Sequence, residues 1–269
     1  MKYYDLQFPT ITDFAVRYYM EREDDCQPAK LYPPHIHDSL EFYILFEGES
    51  AFMVEDKLYK IKPGDVVMSK PNHLHNCVRN REGVHKNSCI WIDANTGFLS
   101  ADFLDGEIDP VISLDEKDKR TLFGLYDELE NASKKNDERK IFRLIVQITE
   151  IYRDNLVKKG SAEKEKIPAI LKQILLDIKE NFATLGHLDY FTKKYFISQS
   201  TLTRLFKKHL HTSPKLYLES KRLAHARVLL KSGKQVKEAC EMAGFTDYSN
   251  FIRLFKKRFL ITPKEYQNR

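Results

Sequence analysis

The C-terminal part of the chain contains one amphipathic segment twice. LTRLFKK begins at Leu202 and FIRLFKK begins at Phe251, an offset of 49 residues. Three further residues return at the same offset: Pro214, Lys215 and Tyr217 return as Pro263, Lys264 and Tyr266. Self-similarity at a fixed offset indicates a duplicated structural unit. The sequence therefore predicts one small helical unit that is built twice.

Each copy has the pattern of a short helix with one buried face. The apolar positions are spaced i, i+3, i+4 in both copies: Leu202, Leu205 and Phe206, then Phe251, Leu254 and Phe255. Because so short a helix is not stable alone in water, each copy needs a preceding partner, and HLDYFTKKY (187–195) and QVKEACEMA (235–243) are suitable. Helix, turn and exposed basic helix is the plan of a DNA-binding helix-turn-helix, predicted here twice.

The segment between the copies predicts one long connecting helix. Ser213 is a suitable N-cap, Pro214 suits the first helical position, and Gly233 stands just past the other end. A helix of about 18 residues is roughly 27 Å long and can hold two recognition helices at a fixed separation. This length is similar to the distance of about 34 Å between successive major grooves on one face of DNA. The alternative is a helical bundle in which the duplicated hairpin only packs.

Charge is divided unevenly along the 269 residues, a length that allows two domains. Residues 167–269 carry 20 Lys/Arg against 8 Asp/Glu, and the preceding part carries 24 against 31. A basic domain behind an acidic one indicates contact with a polyanion. The first residues, MKYYDLQFPT, lack the features of a signal peptide, no apolar run is long enough to span a membrane, and the four cysteines form no CxxC pair. We therefore expect a cytoplasmic protein with no membrane contact.

The fold class predicted is α+β multidomain. Residues 1–112 alternate short apolar runs with turn signals, including a hairpin at AFMVEDKLYKI, and predict a β-rich domain. Residues 113–158 have helical periodicity and predict a helical connector with apolar stripes that suggest dimerisation. Residues 158–166 read as a linker, and 167–269 predict an all-α domain.

The segment from Ala183 to Tyr266 resembles the DNA-binding domain of AraC/XylS-type transcriptional regulators. The motifs are ISQSTLTRLFKKHLHTSPKLY, RLAHARVLLKSG and VKEACEMAGFTDYSNFIRLFKKRFLITPKEY. The resemblance implies two helix-turn-helix motifs in adjacent major grooves, with base contacts from Ser200, Thr203, Arg204, Tyr248, Ser249 and Arg253. Four further residues are better placed for phosphates: Thr201, Lys207, Asn250 and Lys256. The implied partners are promoter DNA, a small-molecule effector, RNA polymerase and a second copy of the chain, usually in activation.

Three positions depart from the family pattern. Phe196, His211 and Leu260 stand where the family usually has glycine, at sites that often need a positive φ. We expect either reshaped turns or tolerated strain, and the first helix-turn-helix is the less certain reader of sequence. Cys240 stands where Ala is usual and is predicted to be a small core residue.

The N-terminal domain resembles cupins, which are small double-stranded β-barrels. The two motifs lie in PPHIHDSLEFYILFEG and PGDVVMSKPNHLH, and the four metal ligands of metal-binding cupins would map onto His35, His37, Glu41 and His75. Three imidazoles and a carboxylate suit Zn, Fe, Ni or Mn. Asn72 stands where a turn glycine is expected and tolerates a left-handed conformation.

Three roles are open for this group of residues. In sensory domains of the regulator family such polar groups more often contact an effector than a metal, so an effector pocket without a cofactor is the favoured interpretation. A divalent metal or a purely structural role are the alternatives. Trp91 could form an apolar wall on which a sugar ring stacks, so a carbohydrate effector is plausible. His73 and His85 are predicted to lie in loops.

Two classes of function compete. The first is a sequence-specific transcriptional regulator that responds to a small molecule in the barrel. The second is a metal-dependent cupin enzyme, and a metal-sensing regulator lies between them. No further carboxylate or lysine constellation suggests an acid/base pair, so the sequence favours a regulator that is not an enzyme.

Overall fold

The computed structural model describes residues 2–8, 14–26, 34–37, 39–78, 83–93, 103–104, 108–156 and 167–268. The predicted linker at 158–166 lies outside the described residues. Among the helices that the structure describes, none combines the length and the apolar character that crossing a bilayer requires.

The N-terminal domain consists of antiparallel strands in two sheets. The described strands are β1 (Lys2–Phe8), β2 (Phe14–Cys26), β3 (Ser39–Glu47), β4 (Ser50–Val54), β5 (Lys57–Ile61), β6 (Val66–Ser69), β7 (His75–Val78), β8 (Gly83–Asp93) and β9 (Val111–Ile112). One sheet has the order β1-β2-β8-β3-β6-β9 and the other has the order β5-β4-β7. The hairpin predicted at AFMVEDKLYKI is confirmed as β4 and β5, which pair from Val54 opposite Lys57 to Ser50 opposite Ile61.

Strand β3 is buried on both faces, which explains its continuous apolar sequence. Tyr43 and Leu45 face a core with Phe52 and Tyr59 of the second sheet. The alternate residues of β3 belong to a different core, since successive side chains of a strand point to opposite faces. The strand that follows the first His-containing motif is therefore fixed from both sides.

The predicted helical connector forms two helices, α1 (Glu116–Lys134) and α2 (Glu138–Leu156). Asp115 caps α1 by accepting a hydrogen bond from the Asp118 N–H. The apolar stripes of both helices pack on the outer face of the large sheet in one core with Phe42 and Ile44, and the hydroxyls of Tyr126 and Tyr152 lie 2.8 Å apart inside it. The stripes that suggested dimerisation thus have an intramolecular partner, and the homodimer stays a prediction.

The C-terminal domain is helical, as predicted. Its helices are α3 (Ala169–Asn181), α4 (Asp189–Lys194), α5 (Gln199–Leu210), α6 (Pro214–Lys231), α7 (Val236–Met242), α8 (Tyr248–Phe259) and α9 (Pro263–Gln267). The predicted long connecting helix is confirmed as α6, with 18 residues, Ser213 as the N-cap and Pro214 in the first position. Cys240 is buried on the packing face of α7, as expected of a small core residue.

The C-terminal domain packs against the small sheet of the N-terminal domain. Ile36, Met53 and Leu58 share one buried cluster with Leu171 of α3 and Tyr217 of α6. Burial of apolar surface between the two domains gives them a common core, since such surface is stabilised by removal from water. The N-terminal domain and the first helix-turn-helix therefore share one buried apolar cluster.

The strained turns predicted from the family pattern are present. Phe196, His211 and Leu260 have φ values of 52°, 50° and 63°, and Asn72 has φ 63°. A left-handed conformation costs a residue with a Cβ about 1–2 kcal/mol. Phe196 is 95% exposed, so burial of its ring does not compensate for the strain.

Replacing Phe196 by glycine is expected to stabilise the chain by about 0.5–1 kcal/mol. The relief of backbone strain in the folded state outweighs the conformational entropy that glycine adds to the unfolded state. The measurement is the midpoint of urea unfolding of the full chain. The slope of the unfolding free energy against urea concentration should stay unchanged. Leu216 is a matched control, since it is 51% exposed but lies inside α6, where Leu216→Gly should destabilise. Equal midpoints for Phe196→Gly and the parent chain would contradict the expectation.

Candidate functional site

The first candidate reading surface lies along α5. Ser200, Arg204 and Lys207 are exposed and Thr203 is half-buried, and an open groove of about 700 Å³ runs along them. The opposite face of the helix is held in place by Leu202 and Phe206, which are fully buried. Burial of one face fixes which side chains can point away from the domain.

The second surface repeats the first on α8. Tyr248, Ser249, Arg253 and Lys256 are exposed, and the buried face is made by phenylalanines of the repeat. The Arg253 guanidinium donates a hydrogen bond of 2.7 Å to the Asn250 side-chain oxygen. Asn250, which is predicted to contact phosphate, thus orients the arginine that is predicted to contact a base.

The N-termini of both helices are capped in the same way. Ser198 accepts a hydrogen bond from the Thr201 N–H, and Asp247 accepts one from the Asn250 N–H. The Ser198 hydroxyl also lies 2.7 Å from the Ser200 hydroxyl and 2.9 Å from that of Thr201. Both predicted recognition helices therefore begin at a defined residue, 49 positions apart.

A glycine explains the tight turn of the second motif. Gly244 has φ +86°, and a Cβ there would stand 2.3 Å from the Ala183 carbonyl oxygen. Only glycine can satisfy both conditions. In the first motif, the strained Phe196 takes the corresponding left-handed place, in open surroundings.

The second candidate site lies in the barrel and unites the four residues of the cupin-like motifs. The potential ligand atoms of His35, His37, Glu41 and His75 all lie within 4.8 Å of one another. Glu41 Oε2 is 2.7 Å from His37 Nε2 and 3.2 Å from His75 Nε2. His35 and His37 precede β3, and His35 forms an isolated bridge with His75. This short bridge brings the side chains of His35 and His75 together.

The two imidazoles nearest Glu41 are oriented by backbone carbonyls. His37 Nδ1 lies 3.0 Å from the Ser39 carbonyl, and His75 Nδ1 lies 2.8 Å from the His73 carbonyl. A carbonyl oxygen only accepts, so each ring donates from Nδ1, and Nε2 of each ring faces the Glu41 carboxylate.

Trp91 joins this cluster through its indole nitrogen. The Nε1–H group lies 2.5 Å from Glu41 Oε2 and 3.2 Å from His37 Nε2, so it donates toward both acceptors. The contact adds a polar role to the apolar wall predicted from sequence. We define His35, His37, Glu41, His75 and Trp91 as the sensory cluster.

One histidine was predicted wrongly. His85 lies on β8 rather than in a loop, and it is buried, with Nε2 2.9 Å from the Tyr43 hydroxyl and Nδ1 3.3 Å from the Ser50 hydroxyl. The spacing of polar residues by two along β8 is a signal for an inward face that includes His85. The hydrophobic pattern alone does not show which residues of β8 face inward.

Burial controls protonation in the sensory cluster. Burial lowers the pKa of His35 from 6.5 to about 3, and it also lowers the pKa of His37, against the opposing hydrogen bond to Glu41. Burial alone would raise the pKa of Glu41, but the charge of His75 and the hydrogen bonds of His37 and His75 hold it well below its usual value. Near neutral pH the cluster therefore holds a carboxylate and neutral His35 and His37.

Comparison with known proteins matches a family model to each of the two sites. A family described as "AraC-like ligand binding domain" matches residues 17–139, and one described as "Helix-turn-helix domain" matches residues 191–269. The "HTH-type transcriptional activator RhaS" of Citrobacter koseri is 25% identical over 249 residues, with 88% of each chain covered. The "Uncharacterized HTH-type transcriptional regulator YdeC" of Bacillus subtilis is 25% identical over 255 residues, covering 87% of this chain and 86% of the relative.

Solved structures to which the chain is similar include ToxT of Vibrio cholerae O395. It is 13% identical and aligns over 95% of this chain and 97% of its own, with a TM-score of 0.39. The C-terminal domain of the response regulator yesN of Fusobacterium nucleatum is 33% identical over 36% of this chain and 95% of its own, with a TM-score of 0.34.

Proposed function

Because the chain belongs to the AraC family of transcriptional regulators, and not to a family of enzymes, we propose that it binds a promoter operator through α5 and α8. The family assignment covers DNA binding and ligand binding in general. The identity of the contacting residues is our proposal. Because its target is promoter DNA, the chain acts in the cytoplasm.

The observation that carries this proposal is the duplication of one basic face. Arg204 and Lys207 of α5 correspond to Arg253 and Lys256 of α8, and all four side chains are exposed. Packing does not require matched cations on two outward faces, whereas phosphates and guanine edges do attract them. Lysines position the domain, and arginines read bases.

Selection of DNA from a randomised duplex library with the full chain tests the proposal. We expect two conserved blocks with centres about 10 base pairs apart, because the two helices would enter successive major grooves. A homodimer would add a second pair of blocks. Recovery of DNA without any shared sequence would contradict the proposal.

The sensory cluster is the proposed effector site of the barrel. It presents a carboxylate beside three imidazoles, so a ligand that brings hydrogen-bond donors or positive charge would suit it. The hydroxyl groups of a carbohydrate are one class of donor, and Trp91 would contact the sugar. By analogy with the activator RhaS, we propose that the bound effector favours activation through RNA polymerase, in a homodimer.

A further inference from the structure

The two helix-turn-helix motifs have separate cores. The core of the first contains Leu202 and Phe206 of α5, and the core of the second contains Phe251 and Phe255 of α8. Helix α6 contributes buried side chains to both cores. Because no single core encloses both motifs, their relative orientation depends on α6 and on whatever else contacts the two of them.

DNA makes a strict demand on this orientation. Successive major grooves are about 34–36 Å apart, so one extra base pair between two sequence blocks moves the second block by roughly 3.4 Å and rotates it by about 34–36°. Two recognition helices that are held rigidly bind such a duplex only if the DNA is bent or twisted. The tolerance for changed spacing therefore measures how firmly α5 and α8 are held relative to each other.

The N-terminal domain holds the first motif. The buried cluster that contains Leu202 of α5 also contains Met53 of the small sheet. The turn between β4 and β5 adds polar contacts with α6: the Tyr217 hydroxyl donates to the Glu55 carbonyl at 3.1 Å, and the Glu55 carboxylate forms an ion pair with Lys221. The first motif and the N-terminal half of α6 are therefore attached to this domain by both apolar and ionic contacts.

The same domain also contacts the second motif, at Pro34. The buried carbonyl segment at Pro34 accepts a hydrogen bond of 2.5 Å from Arg258 of α8 and one of 3.4 Å from Ser220 of α6. Burial lowers the pKa of the Arg258 guanidinium, so this charged donor is partly withdrawn from water. Hydrogen bonds from charged donors are stronger than those between neutral groups. The C-terminal end of α8 is thus held at a defined place on the N-terminal domain.

Arg258 does not belong to the reading surface of α8. It follows Arg253 by five positions, which places it about 140° away around a helix of 3.6 residues per turn. Arg253 and Lys256 are exposed, whereas Arg258 is half-buried. The next residue, Phe259, packs against the cores of both motifs. Arg258 therefore lies where the two motifs and the N-terminal domain meet.

We infer that the N-terminal domain fixes the spacing of the two sequence blocks that the chain binds, and that Arg258 is the positioning residue through which it holds the second recognition helix. The inference rests on the proposed function, since it assumes that α5 and α8 bind DNA. It adds a part in operator specificity that the N-terminal domain plays without any effector. One body contacts both motifs, and so it restricts the angle between them.

Titration of the full chain with three duplexes tests the inference. One duplex carries the two selected blocks at the selected spacing, and the others have one base pair added or removed between the blocks. We expect the parent chain to lose about tenfold or more in affinity at either changed spacing, because the DNA must deform. Arg258→Met, which keeps the apolar stem but has no donor, should lose only about threefold, because the second motif can follow the displaced block.

Three further variants control for charge and folding. Lys257→Met removes the same charge at the neighbouring exposed position of α8, so it should lower the affinity for all three duplexes equally and leave their ratio unchanged. Arg258→Lys keeps a charged donor and should retain most of the spacing preference. Far-UV circular dichroism and urea midpoints check that the variants are folded. If Arg258→Met does not fold, Arg258→Gln, whose side chain is too short to reach Pro34, takes its place.

The outcomes separate this inference from the proposed function. A parent chain that binds all three spacings equally well, or an Arg258→Met variant with the spacing preference of the parent chain, would overturn the inference and leave the proposed function intact. A chain that selects no shared DNA sequence contradicts the proposed function, and the inference falls with it.

Discussion

Replacing Arg253 by alanine is expected to weaken binding of the selected operator by about 1–3 kcal/mol, or roughly five- to 150-fold, and to relax preference at one base pair. The guanidinium is exposed and is braced by Asn250, so its planar fork is partly ordered before DNA arrives. A preordered arginine suits bidentate contact with guanine. The measurement is a titration of the operator and of its single-base variants.

Lys256→Ala is the matched control on the same helix. A lysine that contacts phosphate should contribute equally to binding of all sequences. Its loss should therefore lower the affinity for every duplex to the same extent, and it should reduce the slope of log affinity against log salt concentration by about one. Arg204→Ala should repeat the Arg253→Ala effect in the other half of the operator. If base preference survives in both arginine variants, α5 and α8 do not read sequence in the way proposed.

The DNA-binding half could be predicted from sequence because its signals are local. Helix caps, the spacing of apolar residues and the repeat at 49 positions each depend on neighbours in the chain. Even the backbone strain was predictable: Phe196, His211 and Leu260 all have a positive φ. The bracing of Arg253 by Asn250 was not predicted, although their spacing by three on a helix allows it.

The packing of the two domains could not be predicted, because it depends on surfaces far apart in sequence. The apolar stripes of α1 and α2 indicated a packing partner without identifying it, and the partner is the barrel. Similarly, Glu55 reads as an ordinary turn residue, yet it contacts Lys221 across 166 positions. The alternation of apolar and polar residues indicates which face of an element is apolar, but it does not identify the element that packs on that face.

The residues of the sensory cluster were predicted from sequence, but the orientation of their rings was not. Motif spacing brought together His35, His37, Glu41 and His75, and the structure places them within reach of one ion. The orientation of the rings depends on the carbonyls of Ser39 and His73, which carry no side-chain signal. The choice between an effector pocket and a metal site therefore rests on geometry that no motif specifies.

Acid is expected to destabilise the metal-free barrel strongly between pH 6.5 and pH 3. The pKa of His35 falls from 6.5 in the unfolded chain to about 3 in the folded one, so the unfolded state binds more protons in this range. Stability is therefore fully present above pH 6.5 and is lost as the pH falls toward 3. One pKa unit corresponds to about 1.4 kcal/mol, so the loss from His35 alone is on the order of several kcal/mol.

Glu41 should add to this loss in the same direction, because its pKa is held below the usual value and its contribution disappears as acid protonates the carboxylate. Urea unfolding of chelator-treated protein, followed by the fluorescence of Trp91 in the barrel, measures the effect at each pH. His35→Gln removes this half-buried titrating ring and should reduce the pH dependence between 6.5 and 4.5, where Glu41 contributes little and the lowered pKa of His37 accounts for the rest. His187→Gln, at an exposed position of the helical domain, should leave the slope unchanged. A parent chain as stable at pH 4.5 as at pH 7 would show that His35 is not buried in its neutral form.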